Sequence, residues 1–257
     1  MNKVRWAILG AARVNEKIIP AITGSVQGEL VAVGSRRENS AKECVKKYAP
    51  DLSENIECYK DFDAILKSKE IDAIYIPLSN EEHTEAALKA INNKKHVLIE
   101  KPMAIKSNEV RLLTDAAKKN NVKIMEGFMY VFHPQFDRVQ NIINSGILGD
   151  IRYAHSMFSF PIQAARFYRI NRSMVNGGGA LWDIGPYAVH TIRSCFKENP
   201  IRVCAEAKLN EHGADISTTV MIDFGADKKA TLDISFECIR RSEFEIFGKS
   251  GRLKCPQ

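Results

Sequence analysis

No stretch of the 257 residues approaches the roughly 20 consecutive apolar side chains that a bilayer-spanning helix requires. The six cysteines (Cys44, Cys58, Cys195, Cys204, Cys238, Cys255) form no CxxC pair and no Cys/His ligand spacing, so no metal site is expected. They read instead as free thiols in a reducing compartment. A block of one charge is also missing. The 37 Lys+Arg against 31 Asp+Glu leave +6, spread over both halves, which argues against a nucleic-acid-binding arm. Fifteen glycines and nine prolines are too few for a collagen-like or low-complexity chain. The opening run 6–9 follows Lys3 and Arg5 but is cut short by Arg13 and Glu16, unlike a secretory signal. A soluble cytoplasmic protein that contacts neither membrane nor nucleic acid is the expectation.

With 45% hydrophobic and 26% charged residues, the chain has the means to build one large core or two modest ones. Strand-like runs at 4–9, 30–35, 56–59, 71–77, 96–99 and 122–125 alternate with helix-like runs at 17–22, 40–48, 62–67, 81–92 and 108–119. Apolar strands separated by helices are the signature of βαβ units and a parallel sheet covered on both faces. This predicts an α/β architecture opening with a Rossmann-type, doubly wound parallel sheet over 1–124. The rhythm then changes. A helix at 134–145, a long strand at 151–160, an Arg- and Asn-rich loop at 161–176 and a helix at 181–196 precede strands at 201–209, 217–224, 230–236 and 244–247. Consecutive strands joined by short turns predict a second, α+β domain over 125–257 with a mostly antiparallel open sheet.

Gly10-Ala11-Ala12-Arg13 lies between a strand and a helix, where backbone N–H groups and the helix dipole attract a pyrophosphate. Only the first glycine of G-x-G-x-x-G is present, with Ala12 and Asn15 at the other two positions, so a plain tight turn stands beside the phosphate seat. The second strand ends in Ser35-Arg36-Arg37, where an NAD enzyme places an acid on the ribose 2′-hydroxyl and an arginine accommodates a 2′-phosphate. That favours NADP (NADPH) over NAD; a solvated arginine pair at a helix start is the plainer alternative. Glu100-Lys101-Pro102 ends another strand at the edge where such sheets bind ligands. Pro102 keeps Lys101 extended, and the lysine is a candidate proton-transfer group as well as a solvent-exposed strand end. Gly177-Gly178-Gly179 opens the later helix, on which Asp183 and Tyr187 are spaced i,i+4, with His190 three further on. A carboxylate, a phenol and an imidazole on one stripe form a proton-transfer set, with the glycines allowing close approach of a ligand. Pro186 interrupts the stripe with a kink or extra turn, and His190 by itself fits a partnered, half-buried histidine equally well. Arg166, Tyr168, Arg169 and Arg172 in the 161–176 loop are expected to shape the substrate pocket.

Taken together these motifs resemble the Gfo/Idh/MocA oxidoreductases, in the branch near glucose–fructose oxidoreductase, NADP-dependent xylose dehydrogenase and dihydrodiol dehydrogenase. The likeness runs through Trp6-Ala7-Ile8-Leu9-Gly10-Ala11-Ala12-Arg13, Tyr75-Ile76-Pro77-Leu78-Ser79-Asn80 with His83, and Glu100-Lys101-Pro102. It continues through Met125-Glu126-Gly127-Phe128-Met129-Tyr130 with His133-Pro134, and the 177–187 stretch. The resemblance implies Lys101, Asp183 and Tyr187 as the reacting groups, the tyrosine standing where other branches have histidine. It also implies a nicotinamide cofactor held by Gly10, Ala11, Ala12, Arg13, Val14, Ser35, Arg36, Arg37, Pro77, Leu78, Asn80, His83, Glu100 and Lys101. Arg166, Tyr168, Arg169 and His190 are the expected substrate contacts, and copies of the chain are expected to form a dimer or tetramer through the second sheet. Val131 departs from the arginine common at its position. The family also continues past 248–253 with further strands and a helix, so the second domain is expected to be incomplete at Gln257.

The expectation is therefore hydride transfer between a nicotinamide and a carbinol or carbonyl carbon of a sugar-like substrate. A catalytically impaired cofactor binder (a sensor or truncated remnant) is the alternative, and an NAD-dependent glycosidase of the same fold a lesser one.

Overall fold

A computed structural model describes residues 3–256, which divide into two units, Met1–Gly127 and Phe128–Gln257. The first unit runs β1 (Val4–Leu9), α1 (Asn15–Thr23), β2 (Gly28–Gly34), α2 (Ser40–Tyr48), β3 (Glu57–Tyr59) and α3 (Asp63–Lys67). It goes on through β4 (Ala73–Ile76), α4 (His83–Asn92), β5 (His96–Ile99), α5 (Ser107–Asn120) and β6 (Ile124–Glu126). The sheet order is β3-β2-β1-β4-β5-β6 with parallel pairings throughout. Because side chains alternate across a strand, Ala7 and Leu9 of β1 join Ile74 and Ile76 of β4 in one core with Ala87, Ile91 and Leu113. Ile8 and Tyr75 point the other way, into a second core with Ile19 and Val45. Each fully buried large aliphatic side chain contributes about 1.5–3 kcal/mol, and both faces need it, which is why the strands read as unbroken apolar runs.

In this order β2 lies on one side of β1 and β4 on the other. Chain progression reverses there, so a crevice opens at the carboxyl ends of β1 and β4. The segments after β1, β2, β4 and β5 carry Gly10, Ser35–Arg37, Pro77–Asn80 and Glu100–Lys101 respectively. The fold thus collects residues scattered over ninety positions at one edge of one sheet.

The second unit contains α6 (Pro134–Asn144), β7 (Ile151–Ser159), α7 (Ala180–Asp183), α8 (Gly185–Phe196), β8 (Arg202–Leu209) and β9 (Asp215–Gly225). It ends with β10 (Lys228–Ser235), β11 (Arg241–Gly248) and β12 (Arg252–Cys255). The order is β12-β11-β7-β10-β9-β8, antiparallel except where β7 meets β10 in parallel. Ala188, Ile192 and Phe196 of α8 pack against Ala154, Ile222, Leu232 and Ile246 of the sheet. On the outer face Val203 and Met221 are exposed.

The sequence differs from the structure here in three places. β12 is an additional strand. The 161–176 loop contains 3₁₀ turns at Ala164–Arg169 and Met174–Asn176. The single helix expected over 181–196 is two, α7 and α8, broken at Ile184. Pro186 cannot donate to the carbonyl four residues back, but it suits the first turn of a helix, so α8 restarts there. Among the described residues no helix is long and apolar enough to cross a membrane.

Candidate active site

The crevice end of the first unit is built around Gly10. Its φ of +127° is strained for any residue with a side chain, and a Cβ there would stand 3.1 Å from Leu78 Cδ2. Gly10 therefore lets the β1–α1 turn lie close against the segment that follows β4. Asn15 fills the place of the third motif glycine: it is fully buried and donates from Nδ2 to the Gly10 carbonyl at 2.8 Å. A side-chain amide thus braces the turn that the missing glycines leave unbraced. Ala11, Ala12 and Val14 are half-buried and Arg13 is exposed at the start of α1, the positive end of the helix. A short-side-chain turn capped by a helix start fits a dinucleotide pyrophosphate.

The two arginines after β2 have different surroundings. Arg37 donates from Nη2 to the Ala11 carbonyl at 2.7 Å, and its backbone N–H donates to Ser35 Oγ at 3.2 Å. Arg36 reaches Glu82 and lies over the Phe62 ring, 5.5 Å from its centroid. Ser35 is buried, while both arginines are exposed. No acidic side chain occupies the end of β2 itself, and that set of donors fits a 2′-phosphate.

After β4 come buried Pro77 and half-buried Leu78 and Asn80. Glu100 accepts a hydrogen bond from the hydroxyl of fully buried Tyr75 at 2.7 Å, which ties the start of the Glu100-Lys101-Pro102 segment to β4. Lys101 is half-buried, and the bond between it and Pro102 is cis. Glu126 accepts from the Met103 N–H at 2.7 Å, and burial holds its carboxyl above the ordinary range.

His83 differs from expectation. It has no exposed surface; Nδ1 lies 2.7 Å from the Pro102 carbonyl and Nε2 3.0 Å from the Leu78 carbonyl. Burial lowers its pKa, against the opposing pull of the two carbonyls and of Glu100. An enclosed side chain does not touch a ligand, so the cofactor contact expected of His83 is replaced by positioning: it ties the Lys101–Pro102 segment to the one after β4.

In the second unit Asp183 is 3% exposed and receives Arg166 Nη2 at 3.0 Å on one oxygen and Arg169 Nη1 at 2.5 Å on the other. Arg166 also lies over the Phe160 ring and Arg169 over the Tyr168 ring. The carboxylate expected to serve proton transfer thus clamps two arginines of the loop, whose side chains keep part of their surface in solvent next to exposed Tyr168, although Arg169 Nε is buried without a partner. Tyr187, in the first turn of α8, sits in an aromatic group. Phe128, Tyr130 and Phe158 surround it with centroids at 5.7, 6.0 and 5.9 Å, and its hydroxyl points to Met129 Sδ at 3.7 Å.

His190 stacks on Phe128 at 5.0 Å, and its Nδ1 is hydrogen-bonded to the Tyr130 hydroxyl. Burial, with Arg193 nearby, lowers its pKa, while burial pushes the Tyr130 phenol up to about 12. Both side chains are therefore uncharged at neutral pH. A cavity of about 370 Å³ lies against this pair, lined by Met129, Tyr130, His133, Phe136, Thr191 and Phe244 among others, without Tyr187 or Asp183.

Gly178 and Gly179 do other work than that expected. A Cβ on Gly178 would fall 2.0 Å from the Arg172 carbonyl oxygen, and one on Gly179 1.9 Å from Asp215 Oδ1. The close approach they permit is to the chain itself. Asp215, absent from the sequence reading, is fully buried, accepts from the Leu181 N–H at 2.8 Å and from Thr218 at 2.7 Å, and so anchors the start of α7. Its signal was faint: one aspartate at the beginning of a strand, paired with a glycine thirty-six positions earlier. Among the described residues no group of three or more His, Cys, Asp or Glu could hold a metal ion.

Comparison with known proteins agrees with this layout. Residues 4–128 match the oxidoreductase family model with an NAD-binding Rossmann fold, and 136–254 match the GFO/IDH/MocA C-terminal domain. An uncharacterized oxidoreductase of Rhizobium meliloti is 35% identical over 100% of this chain and 76% of its own length. A D-xylose 1-dehydrogenase (NADP(+)) of Haloferax volcanii is 30% identical over 97% of the chain and 74% of its own. A 3-ketoreductase from Actinomadura kijaniata, solved with NADP and TDP-benzene, superposes with a TM-score of 0.89 at 26% identity, covering 100% of this chain and 77% of that one. The same reductase has been solved with a tyrosine changed to phenylalanine and with a lysine changed to alanine. The two-unit fold, its dinucleotide crevice and both family matches place the chain in the Gfo/Idh/MocA family, as an NAD(P)-dependent oxidoreductase.

Proposed function

We propose that the chain is an NADP(H)-dependent oxidoreductase that moves hydride to or from a carbinol or carbonyl carbon of a sugar-like substrate. The observation that carries the coenzyme choice is the end of β2, where Ser35, Arg36 and Arg37 stand in place of an acid. The NADP-dependent xylose dehydrogenase and the NADP-bound 3-ketoreductase among its relatives support that reading, and their substrates support the sugar class. The nicotinamide supplies hydride transfer when bound; the chain supplies binding, orientation and proton transfer.

In oxidation Tyr187 takes the substrate hydroxyl proton, and in reduction it returns one to the carbonyl oxygen. Lys101 hydrogen-bonds that oxygen, and its positive charge lowers the pKa of the group that loses the proton. The segments on either side of Lys101 are held by His83 and by the Tyr75–Glu100 bond, which fixes the backbone from which the lysine projects. Asp183 positions Arg166 and Arg169, whose solvent-exposed donors, with Tyr168, bind the substrate hydroxyls.

The test combines two measurements. Fluorescence titration should show NADPH binding more tightly than NADH. Steady-state turnover over a panel of aldoses, ketoses and nucleotide-linked ketosugars should fall roughly 10²–10⁴-fold in Tyr187→Phe and in Lys101→Met. Near-full turnover in both variants would remove the assigned roles.

A further inference from the structure

We propose that Glu82 sets how strongly this chain prefers NADP over NAD, by holding the Arg36 guanidinium that a 2′-phosphate must engage. The inference rests on the NADP reading of the β2 end. Of the two arginines there, Arg37 donates from Nη2 to the Ala11 carbonyl of the β1–α1 turn, and Arg36 is the one paired with an acid. The Arg36 side chain is 62% exposed, its guanidinium lies over Phe62, and one of its nitrogens is bonded to Glu82 Oε1. The other carboxylate oxygen of Glu82 accepts from Ser79 Oγ at 2.5 Å, so the acid is anchored to the segment after β4 rather than trailing in solvent. Partial burial pushes the Glu82 carboxyl upward, but the bonds from Ser79 and Arg36 outweigh it and hold it below the ordinary range. Glu82 is therefore an anion at neutral pH.

Two anions then compete for one cation. A 2′-phosphate of NADP draws on the same guanidinium and competes with Glu82 for it. The 2′-hydroxyl of NAD carries no charge and leaves the pair intact. Glu82 thus weakens NADP binding selectively and narrows the gap between the coenzymes. An exposed ion pair of this kind corresponds to about a two- to fivefold change in affinity.

Dissociation constants of NADPH and NADH, measured by fluorescence titration of the full chain, test this in wild type, Glu82→Gln, Arg36→Ala and the double variant. Glu82→Gln should tighten NADPH about two- to fivefold and leave NADH unchanged, and the gain should vanish in the Arg36→Ala background. Ser79→Ala, which removes the second anchor of Glu82, should shift NADPH the same way by a smaller factor, and serves as the independent variant should Glu82→Gln fold poorly. Unchanged or weaker NADPH binding in Glu82→Gln, equal tightening of both coenzymes, or a full gain without Arg36 would each overturn the proposal. If wild type binds NADH as tightly as NADPH, the NADP reading fails; if NADPH is preferred but Arg36→Ala or Glu82→Gln leaves its binding unchanged, only the role of Glu82 fails.

Discussion

Asp183 shows how the meaning of a single residue depends on its neighbours. Its type and its spacing to Tyr187 mark it as an acid–base group, yet both carboxylate oxygens receive arginine N–H groups from a loop fourteen and seventeen residues away. Those arginines keep more than a quarter of their side-chain surface in solvent, while the carboxylate keeps almost none. Asp183→Asn preserves the shape and removes the charge. It should destabilise the fold by about 1–3 kcal/mol, below the range for a fully buried pair because solvent reaches the arginines. Urea unfolding checks the stability. A rise in KM larger than the loss in kcat would mark the residue as positioning the substrate arginines rather than exchanging a proton.

At the scale of elements, the break between α7 and α8 organises the second unit. α7 is only Ala180–Asp183, too short to persist by its own hydrogen bonds. It is held from outside: Asp215 anchors its first turn, and Gly178 and Gly179 let Arg172 and Asp215 come within reach. Gly179→Ala should therefore be costly. Its φ of +104° and a Cβ position 1.9 Å from Asp215 Oδ1 combine backbone strain with overpacking, about 2–5 kcal/mol together. That corresponds to a fall of roughly 5–15 °C in Tm. Gly146→Ala is the control: φ is also positive, +74°, but nothing lies within 4 Å, so the loss should be much smaller. Equal losses in the two variants would show that packing against Asp215 contributes nothing.

For the molecule as a whole, each unit keeps a histidine inside whose charged form burial disfavours: His83, facing two carbonyls that pull the other way, in the first, and His190 in the second. Burial depresses both below the ordinary value of 6.5. The unfolded chain thus takes up protons before the folded one does. The stability the neutral rings contribute is complete above about pH 6.5 and is lost progressively as pH falls below it. Thermal unfolding at pH 8 and pH 5.5 should show a larger drop for wild type than for a His83→Gln/His190→Gln variant. The buried acids Glu126 and Asp215 titrate upward, with the opposite sign, and are common to both proteins, so the difference between them isolates the histidines. An identical drop in both would mean that neither ring titrates differently on folding.

Local pattern was enough to read the parallel sheet of the first unit, because strands buried on both faces must be apolar throughout and the helices between them amphipathic. It was also enough to read the Gly10 turn, the Arg36–Arg37 end of β2 and the Lys101 segment, since a doubly wound sheet carries whatever follows its strands to one edge. Partnership was not legible. That Arg36 meets Glu82 while Arg37 turns back to Ala11, that His83 faces two carbonyls, and that Asp183 belongs to two arginines follow from distances between segments far apart in the chain. Periodicity reports which face of an element is buried, not which polar group waits on the other side. The amino-acid sequence alone therefore determined the two-unit fold and the kinds of side chain gathered at the carboxyl edge of the first sheet. The tertiary structure decided which of them are already bonded to one another, because a hydrogen bond depends on ångström-scale approach between segments that no local pattern records.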